Sequence, residues 1–125
     1  MKTKILLVED NPATMEVMHQ ELEVLGYDVA IARDGAEAVE MAGSELPDLI
    51  IMDMLMPKMD GGEATARIRK NPKTQAIPIL AATAKALPED RDICLASGCD
   101  DYIAKPFSYR ELHAAIEKLL KRQSE

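Results

Sequence analysis

Short apolar runs alternate with segments of helical periodicity along the chain, and this alternation constrains the fold more than any other feature. The third run is apolar at every position from Leu49 to Met52 and ends on Asp53, as expected for a central parallel strand covered on both faces. The pattern predicts an α/β domain with a parallel sheet, helices on both faces and right-handed crossovers. The predicted strands comprise residues 4–9, 27–32, 48–53, 77–82 and 101–104.

Capping residues and glycines mark the predicted helix boundaries. Asn11 caps the first helix, Pro12 is its first residue and Gly26 ends it. The last helix begins at the S-x-x-E capping box of Ser108 and Glu111, and apolar residues follow at helical spacing. Similar boxes pair Asp34 with Glu37 and Asp60 with Glu63, and a fourth helix is predicted from near Pro88 to Gly98.

The composition indicates one globular domain and excludes several classes of function. A chain of 125 residues that is 47% hydrophobic can bury one core, which must be aliphatic because there is one Phe and no Trp. A net charge of −7 without a basic block argues against nucleic-acid binding. No apolar run approaches the roughly 20 residues of a membrane span. The N-terminal apolar run is too short for a signal peptide, so a cytoplasmic location is expected.

Residues 1–125 are therefore expected to form a single domain, with a frayed tail over about 121–125. The spacing of Cys94 and Cys99 matches neither a redox Cys-x-x-Cys motif nor a zinc site. Both are predicted to be buried, reduced thiols.

Ionisable and hydroxyl side chains occur where the predicted strands end. Glu9 and Asp10 end the first strand, Asp53 the third, Thr83 the fourth and Lys105 the fifth. In open α/β sheets, ligands bind beyond the carboxyl ends of the strands, where the strand order reverses. With the flavodoxin-like order 2-1-3-4-5, the first and third strands flank that point. Asp10 and Asp53 are then expected to be neighbours.

Each of these residues alone has an ordinary structural explanation: Asp10 could help to cap a helix, Thr83 could end a strand and Lys105 could be a solvated loop charge. Their convergence on one edge favours a functional site. Neighbouring carboxylates repel by on the order of 4 kcal/mol per pair at about 4 Å and an effective dielectric near 20, so the cluster recruits a cation or raises its pKa values. Oxygen ligands without His or Cys suit Mg²⁺. With a lysine and a hydroxyl they can stabilise a phosphoryl group, and Asp53 is the candidate nucleophile.

Four motifs in register make the chain similar to the receiver domain of two-component response regulators, in its stand-alone, single-domain form. The resemblance extends to about Leu120 and implies a doubly wound, flavodoxin-like (βα)5 fold. It also implies a phosphorylation-dependent signalling switch, a phosphoacceptor that assists its own phosphorylation and dephosphorylation rather than an enzyme. The motifs are "ILLVEDN" (5–11), "PDLIIMDMLMPKMDG" (47–61), "AATA" (81–84) and "GCDDYIAKPFS" (98–108).

The resemblance implies particular roles at the sheet edge. Asp53 would accept a phosphoryl group from the phosphohistidine of a sensor histidine kinase or a histidine phosphotransfer protein. Mg²⁺ would be bound by Asp53 and Asp10, by Glu9 through a coordinated water, and by the backbone carbonyl of Leu55. Lys105 would pair with a phosphoryl oxygen.

The resemblance also implies a switch that other proteins detect. Thr83 would move to bond a phosphoryl oxygen, and the ring of Tyr102 would turn inward into the space that Thr83 leaves. The peptide bond between Lys105 and Pro106 would be cis. The fourth helix, fifth strand and fifth helix would then form the surface that binds a downstream protein target.

The chain departs from the usual family pattern at several positions. Glu9 replaces the more usual Asp, and Gly62 stands where many relatives have an aliphatic residue. Cys99 stands where Ala is frequent. Leu55 and Lys85 occupy positions that often tune the lifetime of the phosphoryl group.

Other classes of protein share parts of this pattern. A haloacid-dehalogenase-like phosphatase needs a second Asp two residues after its nucleophile, where this chain has Leu55. A flavin or nucleotide site is disfavoured because the loop "EDNPAT" has no glycine and two acids that would repel a phosphate. A pseudo-receiver that binds partners without phosphorylation, and a fragment of a hybrid kinase or larger regulator, are further alternatives. The start at Met1 and the end soon after the last helix favour a complete single-domain protein.

Overall fold

The structure, a computed structural model, describes residues 2–54, 61–83, 92 and 94–123. Among these residues, strands and helices alternate in the predicted order. The strands are β1 (Lys4–Val8), β2 (Asp28–Ala32), β3 (Leu49–Asp53), β4 (Ile79–Thr83) and β5 (Asp101–Ala104). The helices are α1 (Pro12–Val24), α2 (Gly35–Glu45), α3 (Gly61–Lys70) and a C-terminal helix (Tyr109–Gln123).

All five strands belong to one parallel sheet in the order β2-β1-β3-β4-β5. The predicted flavodoxin-like topology is therefore confirmed. β2 lies at an edge, and both β3 and β4 are buried at every position, because helices cover both faces of the sheet. The reversal of strand order falls between β1 and β3, where a ligand site was predicted.

Two aliphatic layers sandwich the sheet. On one face, alternate strand residues such as Leu7 and Ile51 pack against α1 and the C-terminal helix. On the other face, residues such as Val8 and Met52 pack against α2 and α3. The period-2 alternation of each strand sends its side chains to the two faces in turn.

The predicted capping residues lie at the amino ends of the helices. The side chain of Asn11 accepts bonds from two backbone amides of the first turn of α1, and Asp34 accepts one from the amide of Glu37. Ser108 and Glu111 form the reciprocal bonds of a capping box, at 3.1 and 3.2 Å. These local bonds satisfy amides that have no partner within a helix.

Several boundaries differ from the sequence prediction by one to three residues. β1 ends at Val8 rather than at residue 9, β3 begins at Leu49 rather than at residue 48, and β4 ends at Thr83 rather than at residue 82. β2 begins at Asp28 rather than at residue 27. β4 begins at Ile79 rather than at residue 77, because Pro78 has no amide hydrogen to donate to a strand ladder. The C-terminal helix continues through Gln123, three residues into the tail that was predicted to fray. Leu112, Ile116 and Leu119 anchor this helix in the core.

Most of the predicted fourth helix and the cap at Asp60 lie outside the described residues. Asp92 and residues 94–96 are helical, and Gly98 follows with a φ of +111°. Cys94 and Cys99 are both buried and form no disulfide, as predicted. Within the described part of the chain, no helix is both long and apolar enough to cross a membrane.

Candidate functional site

An acidic cluster lies at the carboxyl ends of β1 and β3. The register pairs Val8 with Met52, so that the following residues, Glu9 and Asp53, are level with each other. Asp10 completes the cluster, and one carboxylate oxygen from each of the three residues lies within 4.8 Å of the others. Glu9 and Asp53 are only 3% and 5% exposed, whereas Asp10 is exposed. Two buried acids so close together require a compensating positive charge.

Lys105 supplies a positive charge to this cluster. Its Nζ lies 2.7 Å from Glu9 Oε1 and 3.8 Å from Asp53 Oδ1. The Lys105 amide donates a 2.7 Å bond to the Thr83 carbonyl, which extends the pairing of β4 with β5 and holds the lysine backbone beside β4. The peptide bond between Lys105 and Pro106 is cis, as predicted. The lysine thus pairs first with Glu9 and lies farther from Asp53.

The pKa of Glu9 lies below its ordinary value. Burial is the largest single effect and acts to raise the pKa. It is outweighed by hydrogen bonds with the side chains of Asp53 and Lys105 and with the amide of Asn11, and by the positive charge of Lys105. Glu9 is therefore ionised at neutral pH and can act as an oxygen ligand.

Thr83 and Tyr102 lie on neighbouring strands. β4 pairs with β5 so that Ala81 is opposite Tyr102 and Thr83 is opposite Ala104. Side chains two residues apart on a strand share a face, so Thr83 and Tyr102 are diagonal neighbours on the face that α2 and α3 cover. Thr83 is buried, and the half-buried Tyr102 packs against the core on that face. The two side chains therefore lie on the same face of adjacent strands.

Gly61 contributes to the site in a way that the sequence analysis did not identify. A Cβ at this position would lie well inside van der Waals contact of the Asp53 carbonyl oxygen and 2.7 Å from Met54 Cα. The first residue of α3 therefore packs directly on the backbone that carries Asp53. The only sequence signal for this contact is the glycine that ends "PKMDG", because only a residue without a side chain fits so close to the preceding strand.

A groove of about 570 Å³ opens beside the cluster. Lys105, which contacts the acidic residues, also forms part of the groove wall. The other lining residues come from α1 and from the segment after Lys105: Ala13, Thr14, Val17, Met18, Glu21, Pro106 and Phe107. Val17 is 55% exposed, which is high for a valine beside an apolar groove.

The three carboxylates form an all-oxygen donor set, which suits a hard divalent cation such as Mg²⁺. The structure thus brings Glu9, Asp10, Asp53 and Lys105 together and puts Thr83 on the adjoining strand. Leu55, whose carbonyl was predicted to be a ligand, and Lys85 lie outside the described residues.

Comparisons with known proteins agree with this geometry. The family model of the response regulator receiver domain matches residues 5–117. The alkaline phosphatase synthesis transcriptional regulatory protein PhoP of Bacillus subtilis is 42% identical over 122 residues, which are 98% of this chain and 50% of PhoP. The chain spans about half the length of PhoP and of other curated relatives that it matches.

Solved receiver domains have the same fold. One is the receiver domain of the sensor histidine kinase PA1611 from Pseudomonas aeruginosa, which has a magnesium ion coordinated in its active-site cleft. It is 41% identical, has a TM-score of 0.91, and the match covers 97% of this chain and 99% of that one. The chemotaxis protein CheY4 of Vibrio cholerae is 30% identical, with a TM-score of 0.90 and coverage of 95% and 99%. The chain belongs to the family of response regulator receiver domains.

Proposed function

We propose that this chain is a phosphorylation-dependent signalling switch in which Asp53 is the phosphoacceptor. The observation that carries the proposal is the buried Asp53 carboxylate, which lies beside two further acids and 3.8 Å from the Lys105 ammonium. The donor would be the phosphohistidine of a sensor histidine kinase or of a histidine phosphotransfer protein. An Asp53 oxygen would attack phosphorus as the bond from phosphorus to the donor nitrogen breaks, leaving an aspartyl phosphate and a free imidazole.

Glu9, Asp10 and Asp53 would hold Mg²⁺, together with the backbone carbonyl of Leu55. The bound ion would neutralise charge that develops on the phosphoryl oxygens. Support comes from the all-oxygen donor set and from the lowered pKa of Glu9, since an ionised carboxylate is a ready ligand. The PA1611 receiver domain, with its coordinated magnesium ion, is a solved precedent at 41% identity.

Lys105 would change partner when Asp53 is phosphorylated. In this structure its ammonium is closer to Glu9 than to Asp53. Phosphorylation adds about −1.5 to −2 charge and three acceptor oxygens at Asp53. The lysine can pair with one of these oxygens, because its Nζ is already within 4 Å of the Asp53 carboxylate. The hydroxyl of Thr83 would bind another.

The output of the switch would be a change in protein binding. Thr83 and Tyr102 share a face of the sheet, so a Thr83 hydroxyl drawn toward the phosphoryl group would leave space for the tyrosine ring. The exposed surface near β5 and the C-terminal helix would then differ between the two states, and a downstream protein would bind one of them more tightly. The same site residues would assist the hydrolysis that resets the switch.

The groove beside Lys105 supports a protein donor. A donor imidazole must approach Asp53 from its open side, and Lys105 borders both the acidic cluster and the groove. The groove is largely apolar and Val17 is exposed, which suits an apolar face of a donor helix. Replacing Val17 with Lys should slow transfer from a protein donor while phosphorylation by a small phosphodonor stays unchanged.

The test is incubation with acetyl phosphate and Mg²⁺, followed by intact mass measurement. We expect one phosphate adduct that base removes, and none on Asp53→Asn. Asp28→Asn is the matched control, since it removes an exposed carboxylate on the edge strand β2. Equal adduct on Asp53→Asn, or none on the wild type, would refute the assignment of Asp53.

A second measurement separates a phosphorylated receiver from a pseudo-receiver that binds partners without phosphorylation. Titration with Mg²⁺, followed by amide NMR shifts, should perturb signals around Asp10 and Asp53. Asp10→Ala should abolish these changes. A wild-type chain that does not respond to Mg²⁺ would favour the pseudo-receiver.

A further inference from the structure

Arg69, in the last turn of α3, binds more groups than an ordinary surface arginine. Its Nε donates to the Gly98 carbonyl at 2.9 Å, and one terminal nitrogen donates to the carbonyls of Gln75 and Ile77 at 2.9 and 2.6 Å. The other terminal nitrogen lies 2.6 Å from the Asp100 carboxylate. Its side chain is only 21% exposed. The planar guanidinium fork thus joins the end of α3 to three separate backbone positions and one acid.

Asp100 extends this connection to β4. Its carboxylate also accepts a 2.8 Å bond from the Ile79 amide, and its own amide donates to the Ile79 carbonyl at 2.9 Å. Ile79 is the first residue of β4, and Asp101, next to Asp100, is the first of β5. Arg69 therefore holds together the amino ends of the two strands whose carboxyl ends carry Thr83 and Lys105.

The turn that Arg69 binds is closely packed. Gly98 ends the preceding helical segment with a φ of +111°, and the Cys99 amide donates to the Cys94 carbonyl across it. A Cβ on Gly98 would lie 3.0 Å from Arg69 Cγ and 3.4 Å from Thr65 Cγ2. The turn is thus packed directly on the side of α3 as well as bonded to its end.

The other end of α3 packs against the backbone of Asp53, the candidate phosphoacceptor. Gly61 packs against the carbonyl of Asp53 with no room for a methyl group. A ten-residue helix is about 15 Å long. α3 therefore connects the backbone of Asp53 at one end with the turn at Gly98–Asp100, bound by Arg69, at the other. Tyr102 lies two residues beyond this turn.

We propose that Arg69 is a positioning residue that couples the Asp53 backbone, through α3, to the turn before Tyr102. The proposal rests on the proposed function, in which Asp53 is phosphorylated. It adds a second connection between that site and β5, separate from the proposed one through Thr83 and Tyr102 on the adjoining strands. The four hydrogen bonds of Arg69 go to Gln75, Ile77, Gly98 and Asp100, so Arg69 is placed to act through α3 rather than at Asp53 itself.

The experiment compares Arg69→Gln and Arg69→Lys with wild type by amide hydrogen exchange, with and without Mg²⁺ and beryllofluoride, a phosphoryl mimic. The measured quantity is the ratio of exchange rates of amides 99–104 in the two conditions. In wild type we expect the mimic to change these rates. In both variants the effect of the mimic should be weaker, so that this ratio lies closer to one than in wild type by a factor of roughly three or more. Mutations that weaken coupling between sites typically have effects of this size. Lysine can keep the ion pair with Asp100 but cannot span the three carbonyls.

Arg67→Gln is the matched control, because Arg67 lies on the same helix and its described partner is Glu63, one turn earlier on the surface. It should behave as wild type, and all variants should bind Mg²⁺ with unchanged affinity. The inference is overturned if folded Arg69→Lys or Arg69→Gln keeps the wild-type ratio. It is also overturned if the ratio shrinks only together with Mg²⁺ affinity, since that result would indicate general damage. A wild-type chain that binds neither Mg²⁺ nor the mimic refutes the proposed function, and this inference with it.

Discussion

Gly61 should tolerate no larger residue, and Gly61→Ala measures how tightly α3 packs against the end of the strand that carries Asp53. An added methyl carbon would overlap the Asp53 carbonyl oxygen and would lie 2.7 Å from Met54 Cα and 2.9 Å from Met54 Sδ. The sulfur ends a flexible side chain and can move. The two backbone atoms can move only if the end of β3 shifts, because every residue of that strand is buried.

The expected loss of stability follows from two opposing effects. Forcing an extra carbon into a packed site costs about 1–3 kcal/mol. Alanine recovers up to about 0.5–1 kcal/mol, because glycine loses more backbone freedom on folding. We therefore expect Gly61→Ala to lower the free energy of unfolding by about 1–2 kcal/mol, which corresponds to a Tm decrease of roughly 3–10 °C for a domain of this size.

Urea unfolding followed by far-UV circular dichroism measures this change, since the chain has no Trp to report by fluorescence. Gly43→Ala is the matched control. Gly43 lies inside α2, and a Cβ there would be 3.8 Å from Asn71 Nδ2, an ordinary contact. The control should gain about 0.5–1 kcal/mol. If Gly61→Ala is as stable as wild type, or if both variants lose stability equally, then close packing of α3 on the Asp53 backbone does not limit the residue at position 61.

The remaining predictions concern charge and local backbone. Lys105→Met should tighten Mg²⁺ binding by roughly tenfold by calorimetry, because it removes the ammonium that lies 2.7 Å from Glu9 Oε1 and competes with the metal for this carboxylate. Even at a separation of about 4 Å, two unit charges interact by about 1 kcal/mol in water and about 4 kcal/mol near a protein surface. Unchanged Mg²⁺ affinity would contradict this. In the presence of a chelator, Glu9→Gln should be less stable than wild type near neutral pH. The difference should begin to shrink as the pH falls below about 4.5 and should vanish once the pH is below the lowered pKa of Glu9 in the folded state, because the stabilisation is lost as the carboxylate is protonated there. A difference that persists in acid would show that packing, not ionisation, is responsible. Asn11→Ala should cost about 1 kcal/mol of unfolding free energy and Asn11→Ser much less, since serine keeps a side-chain acceptor for the first turn of α1. Leu46→Gly should raise stability by up to about 1 kcal/mol, because Leu46 is 55% exposed and has a φ of +47°; a loss in thermal unfolding would show that its side chain contributes packing.

The sequence by itself determined the layers and the position of the site. A short continuous apolar run favours a central strand buried on both faces, as β3 is. Capping residues such as Asn11 and Ser108 act through bonds to residues a few positions away in the chain. Parallel strands have their carboxyl ends at one edge, so the polar residues that end β1, β3, β4 and β5 had to meet there. For this reason the sequence could predict that Glu9, Asp10, Asp53, Thr83 and Lys105 lie at one edge of the sheet.

Only the tertiary structure decided which of these groups pair and what supports them. Whether Lys105 prefers Glu9 or Asp53 depends on differences of about one ångström between side chains that are far apart in the chain. The contact of Gly61 with the Asp53 backbone and the four bonds of Arg69 likewise join elements that share no local sequence signal. Hydrophobic periodicity and helix capping are local properties of the chain. Contacts between elements are set by how the packed layers fit together, and so they appear only in the folded protein.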